Sequence, residues 1–215
     1  MDGVVCKHCV CAKTPATSLS GRPDEYKAKQ PGEVVHSDLA GPINVGCDTK
    51  EEARYVLSFI DEFTRHATVS LLVRKTQVLD EFKNYIVMVK NQKGINVKRL
   101  HTDNGTEYVS SEFQLFCRKE GIIHETAVAY LPQQNGIAER YNRSLFDMTR
   151  VMISEANLPL SLWHVALRGA VQKKNCIPHA RVEGKSPYEL WHGKPFEAKH
   201  FHIFGAVAYA KVPDE

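Results

Sequence analysis

Apolar residues from position 34 onward repeat with two different periods. Short runs rich in apolar and β-branched residues predict strands at 34–43, 53–63 and 66–73. A polar turn at Thr64 and Arg65 joins the last two. Both faces of 53–63 are apolar, which indicates a central strand buried on both sides. A helical period predicts a helix over 76–93 with Gly94 as its C-terminal cap, and longer helices from about 134 to 156 and about 160 to 177.

Shorter elements lie between these helices. Residues 96–100 predict a strand that leads into Asp103, and residues 122–128 predict another. Between them, Ser111 and Gln114 form a candidate capping box for a short helix that closes at Gly121. Three consecutive strands followed by alternating helices and strands predict an α/β protein with a mixed five-stranded sheet flanked by helices, in three layers.

The first 33 residues differ in composition from the rest. Residues 12–33 carry Pro, Ser, Gly and Lys with almost no large apolar side chains, which is typical of a linker. They separate a short cysteine-rich head from a body that is long enough for one well-buried domain.

Charge adds a weak indication of a nucleic-acid partner. The chain has 28 Lys and Arg against 25 Asp and Glu, for a net charge of +3. Basic residues are concentrated between positions 140 and 181, where the acidic ones are only Asp147 and Glu155. A solvated helical face explains this distribution as well as a DNA-binding surface does.

Cysteine usage and hydropathy indicate a cellular compartment. Six cysteines in 215 residues favour reduced thiols or a metal site over a disulfide framework. The N-terminus has no apolar signal core, and no run is long enough to span a bilayer. We therefore expect a nuclear or cytoplasmic protein that is not secreted and has no membrane partner.

Three acidic residues carry the candidate chemistry: Asp38 within a predicted strand, Asp103 after another, and Glu139 on a predicted helix. Carboxylates fixed on strands and a neighbouring helix are the hard oxygen ligands that Mg²⁺ prefers. Two such ions can activate the attacking oxygen and stabilise the leaving oxygen in cleavage of a phosphodiester. Each acid taken alone has an ordinary explanation, as a turn residue or a solvated helix residue.

Helical geometry predicts where Glu139 lies. The apolar stripe of its helix is read as Ile137, Tyr141, Leu145, Met148 and Met152. Glu139 then lies on the opposite, polar face, together with Asn135, Asn142, Arg143 and Arg150. This face suits a metal ion and a phosphate backbone.

Several blocks of sequence strengthen this interpretation. The segments VVHSDLAGPI, RLHTDNGTEY and PQQNGIAERYNRSL, with KSPYELWHGKPF and FHIFGAVAYA further on, resemble the integrase catalytic core of copia-type retrotransposons, within the retroviral integrase superfamily. The resemblance covers nearly all of residues 28–210. It implies a ribonuclease-H-like fold and the catalytic, metal-binding triad Asp38, Asp103 and Glu139, with two Mg²⁺ or Mn²⁺ ions. It also implies 3′-end processing of element DNA and strand transfer into target DNA.

The same resemblance predicts further contacts and a domain organisation. It places DNA contacts at Gln134, Asn135, Arg140, Asn142 and Arg143, and implies a homo-oligomer that holds both DNA ends and target. Residues 28–195 form the catalytic core, and 196–215 a C-terminal extension. Residues 1–27 are interpreted as the remnant of a zinc module plus linker, because Cys6 and Cys9 supply two of the four ligands that Zn²⁺ requires. His8 and Cys11 have poor spacing to complete the set, and Asn175-Cys176 replaces the family's Asn-Arg pair. The chain is thus expected to be a fragment of an element.

Two other functions remain open from sequence. One is a catalytically unproductive relic that only binds nucleic acid. The other is a ribonuclease-H-type or resolvase-type nuclease on the same scaffold, which the PQQNGIAER block disfavours.

Overall fold

The computed structural model describes residues 27–45, 52–126, 136–179, 182, 184–197, 199 and 201–207. The strands are β1 (Val34–Ala40), β2 (Tyr55–Asp61), β3 (Ala67–Leu72), β4 (Arg99–Thr102) and β5 (Ile123–Thr126). The helices are α1 (Val78–Lys93), α2 (Thr106–Val109), α3 (Ser111–Lys119), α4 (Gly136–Glu155), α5 (Trp163–Cys176) and α6 (Pro187–His192). Single 3₁₀ turns, Lys75–Gln77 and Leu160–Leu162, precede α1 and α5.

The five strands form one mixed sheet in the order β3-β2-β1-β4-β5. The first three strands are antiparallel neighbours, whereas β4 and β5 run parallel to β1. The predicted mixed five-stranded sheet is therefore confirmed. A chain that reaches β4 through α1, and β5 through α2 and α3, gives the parallel half, since parallel neighbours need a crossover connection.

Hydrophobic clusters cover both faces of the sheet. On one face Leu57 and Phe59 of β2 pack with α1 and α3, where Phe82 and Phe113 are fully buried. On the other face Val56 of β2 packs with α4 and α5. The double-sided burial predicted for 53–63 is thus confirmed, and it makes the molecule a three-layer sandwich.

Strand β4 begins later than its predicted bounds of 96–100. Arg99 is its first strand residue because it pairs with Val34, the first residue of β1, and residues before it have no parallel partner there. The capping box was also wrong by one position: Ser110 is the N-cap of α3, and its Oγ accepts a hydrogen bond from the Phe113 N–H at 3.3 Å. Gly94 and Gly121 close their helices as predicted, with φ of 69° and 70°.

The buried face of α4 differs from the predicted stripe. Its buried residues include Ala138, Asn142, Leu145, Thr149 and Met152, while Ile137, Tyr141 and Met148 are half-buried. The centre of the buried face is rotated by about 70° from the predicted stripe, and Leu145 and Met152 belong to both. The polar members Asn142 and Thr149 are buried because each has a hydrogen-bond acceptor, Asp38 for one and the Leu145 carbonyl for the other.

Candidate active site

The first two acids of the predicted triad lie on neighbouring parallel strands. β1 and β4 pair Val34 with Arg99 and His36 with His101, an offset of 101 − 36 = 65 residues. Asp38 and Asp103 each lie two residues beyond the last of these pairs, and Asp103 directly follows the end of β4. Both therefore lie at the carboxyl ends of adjacent parallel strands, where open α/β sheets commonly bind ligands.

Strand alternation directs these two side chains to the α4 face of the sheet. Ser37 points to the opposite face, where its Oγ lies 2.8 Å from the buried hydroxyl of Tyr108. Its neighbour Asp38 points to α4, where its Oδ2 accepts a hydrogen bond from Asn142. Because successive strand residues face opposite sides, His36 and His101 share the face of the two aspartates. Their rings stack with centroids 4.8 Å apart.

The two histidines hold the strands in register beside the acids. His36 Nε2 lies 2.8 Å from Glu62 Oε2, and His101 Nδ1 lies 3.3 Å from Glu125 Oε2. Both imidazoles are buried, so each has fixed polar and aromatic partners two residues before an aspartate.

A tight turn fixes the carboxylate of Asp103. Its Oδ1 accepts a hydrogen bond from the Gly105 N–H at 3.0 Å, and α2 begins at the next residue. A Cβ on Gly105 would lie 2.6 Å from Glu107 Oε1 and 3.0 Å from Asp103 Oδ1. The carboxylates of Glu107 and Asp103 thus both lie close to the backbone of the turn at Gly105.

Asn142 anchors Asp38 from the third layer. Its Nδ2 donates to Asp38 Oδ2 at 2.9 Å, and only 4% of the residue is exposed. Its Oδ1 is buried with no hydrogen-bond partner among the described residues. Sequence reasoning put Asn142 on an exposed polar face. That placement was wrong, because the amide is used to hold the carboxylate.

Glu139 lies in the first turn of α4, three residues before Asn142, and its side chain is exposed. Three residues correspond to 300° of helical rotation, so Glu139 is about 60° around the helix from Asn142. It therefore lies at the border of the buried face, not opposite the packed side as predicted. This position brings its carboxylate towards the side of the sheet that carries Asp38.

The three carboxylates influence one another electrostatically. Burial raises the pKa of Asp38, the hydrogen bond from Asn142 opposes that shift, and the charges of Asp103 and Glu139 raise the pKa further. Burial also raises the pKa of Tyr108, with Ser37 opposing and Asp38, Asp103 and Glu107 adding to the shift. The acids thus form one region of concentrated negative charge.

These acids are not drawn into a closed ligand set. Within the described ranges, no group of three or more His, Cys, Asp or Glu side chains is arranged to hold a metal ion. Asp38 and Asp103 each have an oxygen engaged by a hydrogen bond from the protein, and Glu139 is exposed.

The remaining predicted site residues are distributed differently. Arg140 and Arg143 are exposed on α4 beside Glu139, and Arg140 also lines a pocket on the far flank of the helix. Gln134 and Asn135 lie outside the described residues, as do Cys6 and Cys9 with the possible zinc ligands His8 and Cys11. Their DNA-binding and zinc-binding roles stay predictions.

The sequence did not predict a buried hydrogen bond on the opposite face of the sheet from the acids. The Ser37–Tyr108 hydrogen bond joins the residue before Asp38 to the residue five positions after Asp103. A tyrosine in the segment that follows Asp103 was the available signal. Its partner, 71 residues away in sequence, was not readable from a local pattern.

Comparison with known proteins agrees with the fold. Residues 28–132 match the integrase core domain family. The chain is similar in structure to the HTLV-2 integrase catalytic core domain in complex with magnesium, with a TM-score of 0.57, 20% identity, and coverage of 77% of this chain and 100% of that one. It is also similar to a chain of the simian T-cell lymphotropic virus intasome in complex with PP2A regulatory subunit B56 gamma, with a TM-score of 0.60, 21% identity, and coverage of 87% and 62%. The fold is therefore that of a ribonuclease-H-like integrase core.

Relatives in sequence narrow the family further. The chain is 36% identical over 183 residues to the retrovirus-related Pol polyprotein from transposon TNT 1-94 of Nicotiana tabacum, covering 85% of this chain and 14% of that protein. It is 28% identical over 204 residues to the Pol polyprotein from transposon RE2 of Arabidopsis thaliana, covering 95% and 14%. The chain belongs to the integrase core family found in the Pol polyproteins of copia-type retrotransposons. It spans only 14% of the length of these two relatives.

Proposed function

We propose that this chain is the catalytic core of a retrotransposon integrase, which processes the 3′ ends of element DNA and joins them to target DNA. The observation that supports this most strongly is the shared electrostatic field of the triad. The charges of Asp103 and Glu139 both raise the pKa of Asp38 at the open end of a parallel strand pair. Concentrating carboxylates without a neutralising cation costs free energy, so the arrangement is expected to serve a cation.

The donor set fits divalent magnesium or manganese. Asp38, Asp103 and Glu139 would hold the ions, since hard carboxylate oxygens are the preferred ligands and the remaining coordination positions can be taken by water. When bound, two such ions supply charge stabilisation to the attacking and leaving oxygens of a phosphodiester. The residues of the first 27 positions do not enter this proposal, and a zinc site there stays a prediction.

Protein groups orient the acids for this task. Asn142 and the backbone of Leu39 donate hydrogen bonds to the Asp38 carboxylate, and the Gly105 N–H donates to Asp103 Oδ1. These donors fix the two carboxylates, whose remaining lone pairs could bind a cation. The buried Ser37–Tyr108 hydrogen bond joins β1 to α2 on the opposite face of the sheet from the acids. Glu139 would be the ligand supplied by α4, because its carboxylate is exposed and its charge acts on Asp38.

The DNA strand itself would be positioned by basic side chains of α4. Arg140 and Arg143 are exposed within one turn of Glu139, where guanidinium groups can contact backbone phosphates. We extend the proposal to element ends and target DNA as partners, to a homo-oligomer, and to a nuclear or cytoplasmic site of action. Within the part of the chain that the structure describes, no helix is both long and apolar enough to cross a membrane.

A matched pair of variants tests the activity. Purified chain is incubated with a labelled DNA duplex and Mg²⁺ or Mn²⁺, and nicked and joined products are separated on a denaturing gel. Glu139→Gln is expected to abolish both products, whereas Glu155→Gln, an equivalent change in the last turn of the same helix, is expected to retain them. DNA binding without nicking or joining by the wild type would instead support a binding-only role. Cleavage confined to RNA–DNA hybrids would support a ribonuclease-H-type nuclease.

A further inference from the structure

A second polar site lies on the other flank of α4. It is a pocket of about 260 Å³ between the N-terminal half of α4, the end of α5, the β2–β3 turn and the segment that precedes α6. Four of its lining residues are basic or titratable as bases: Arg65, Arg140, Lys174 and His179. Ser144 and Tyr141 add hydroxyl groups, and the remaining lining residues are apolar. This volume is smaller than that of typical pockets for drug-sized ligands, and it suits a phosphate group with a few waters.

The charge of the pocket is strongly one-sided. None of its lining residues is acidic. Two acids lie close to Arg65 in sequence. Glu62 has its Oε2 2.8 Å from His36 Nε2, and Asp61 is fully buried and accepts hydrogen bonds from the Gly32 N–H and from the Thr64 N–H and hydroxyl. These hydrogen bonds hold the Asp61 carboxylate inside the turn, where it interacts electrostatically with Arg65 but does not line the pocket. A concave site lined by cations and hydroxyls selects for anions.

The cations are held in place by neighbouring side chains. Lys174 Nζ donates to Ser144 Oγ at 2.7 Å and lies 4.9 Å from the centre of the Tyr141 ring. Burial lowers the pKa of the Lys174 ammonium, the direction expected where a cation loses water without a compensating anion. The lysine is thus fixed at the pocket wall and partly desolvated.

Two backbone features bring the arginines to the same place. A Cβ on Gly136 would lie 2.6 Å from Arg140 Nη1, so a glycine at the start of α4 permits the guanidinium to fold against the helix. Arg65 has φ of 64°, a left-handed conformation that arginine adopts at a cost. Both arginines line the pocket.

Tyr141 supplies an independent sign that a ligand is missing. Its hydroxyl is buried and has no hydrogen-bond partner among the described residues, although the ring lines the pocket. A buried hydroxyl without a partner is costly, and such groups are rare in native proteins. A bound oxyanion would give this O–H group an acceptor.

Helical geometry places this pocket away from the acids. Ile137, Arg140, Tyr141 and Ser144 follow the i, i+3, i+4, i+7 spacing of one helix face. Glu139 lies roughly on the opposite side of the helix, because two residues correspond to about 200° of rotation from Ile137. The pocket and the acidic site are therefore separated by about one helix diameter, roughly 10 Å.

We propose that this pocket binds a phosphate group of a DNA backbone, beside the strand on which the acidic site acts. The inference rests on the proposed function, and it deepens that function by assigning a DNA contact to Arg65, Tyr141 and Lys174. Double-stranded DNA carries one negative charge per about 1.7 Å of its axis, so a duplex that reaches the acids offers further phosphates within 10 Å. Contacts of this kind fix the register of the DNA and carry no sequence information.

The first arm of the test uses inorganic phosphate and thermal melting at constant ionic strength, with chloride as the reference anion. Phosphate is expected to raise the Tm of the wild type. Lys174→Gln and Tyr141→Phe are expected to lose most of this rise, whereas Lys119→Gln, an exposed lysine of α3, is expected to keep it. Tyr141→Phe without phosphate is expected to melt no lower than the wild type, since it removes an unsatisfied buried hydroxyl.

The second arm measures duplex DNA binding by fluorescence anisotropy over a range of salt concentrations. Lys174→Gln is expected to weaken binding roughly fivefold or more and to reduce the slope of log K against log salt by about one. The Lys119→Gln slope is expected to be unchanged. Phosphate could raise the Tm through the pocket while Lys174→Gln leaves the salt dependence of DNA binding unchanged. This result would overturn the assignment to DNA and indicate a site for small anions. No phosphate effect in the wild type would overturn the pocket itself.

Failure of the pocket and failure of the proposed function give different results. If strand joining depends on Glu139 but Lys174→Gln does not change DNA binding, only the pocket proposal is contradicted. In the opposite case, Lys174→Gln loses the phosphate effect and has a reduced salt slope, but the wild type neither nicks nor joins DNA. That result contradicts only the catalytic proposal.

Discussion

Replacing Asn142 by leucine removes the hydrogen bond to Asp38 while nearly preserving side-chain volume. The bond is 2.9 Å long and Asn142 is 4% exposed, so its loss is expected to cost about 1.5–3 kcal/mol, the range for hydrogen bonds to charged groups. The same change removes the buried Oδ1, which has no partner among the described residues. Removing this buried acceptor without a partner is expected to raise the free energy of unfolding by about 1–3 kcal/mol. We therefore expect the free energy of unfolding to change by only about 1 kcal/mol in either direction.

The pKa of Asp38 is expected to respond much more clearly. Burial already raises it, and the Asn142 hydrogen bond is the largest opposing influence, so the leucine variant should raise it further. An acid whose folded-state pKa is raised stabilises the fold below its unfolded pKa, near 3.8, and loses that contribution as pH rises through the folded pKa. The variant should therefore lose more stability than the wild type between pH 4 and pH 7.

The assay is a pH titration of the Asp38 carboxyl carbon by NMR, together with urea unfolding at several pH values. Thr149→Val is the control, because Thr149 is a buried polar residue on the same face of α4 whose hydroxyl donates to the Leu145 carbonyl and not to Asp38. It should leave the Asp38 titration unchanged. An Asp38 pKa that stays put or falls in Asn142→Leu would refute the account of how this carboxylate is held.

Three further substitutions test the support around the site by urea unfolding. Tyr108→Phe should cost about 1–2 kcal/mol, since it breaks the buried 2.8 Å bond with Ser37; an unchanged midpoint would mean that this bond contributes nothing. Phe82→Ala should cost about 3–5 kcal/mol, because the fully buried ring stacks on those of Phe59 and Phe113; a cost below 1 kcal/mol would contradict the packing of that layer. Asp61→Ala should cost about 2–4 kcal/mol because it leaves three donors without an acceptor, and a neutral effect would show that the turn does not depend on them.

Local sequence pattern was sufficient where burial follows hydrophobicity. The double-sided β2 strand, the span of α1 and its glycine cap were predicted because their apolar residues are also their buried residues. The pairing of β1 with β4 was not predicted in register, yet the repeated His-Ser-Asp and His-Thr-Asp triplets were visible in the sequence. That the two histidines stack, beside two neighbouring aspartates, could be recognised only once β1 and β4 were known to be parallel neighbours.

Prediction failed where a polar residue is buried by a distant partner. Asn142 and Asp38 are 104 residues apart, so no local period could indicate that the amide belongs to the packed face. Helix α6 was also missed, although Ser186 caps it, Pro187 begins it and Gly193 ends it. Its six residues are too few to establish a period, and only these terminal signals were available.

Binding of Mn²⁺ to the wild type and to the three single variants Asp38→Asn, Asp103→Asn and Glu139→Gln is the most direct test of a shared metal site. Calorimetry at neutral pH gives the affinity, and thermal melting without metal shows that each variant is folded. We predict that every variant stays folded, that Asp103→Asn melts within a few degrees of the wild type, and that each loses most of the affinity for Mn²⁺. A Glu139→Gln variant that binds the ion as tightly as the wild type would contradict a site formed jointly by α4 and the sheet.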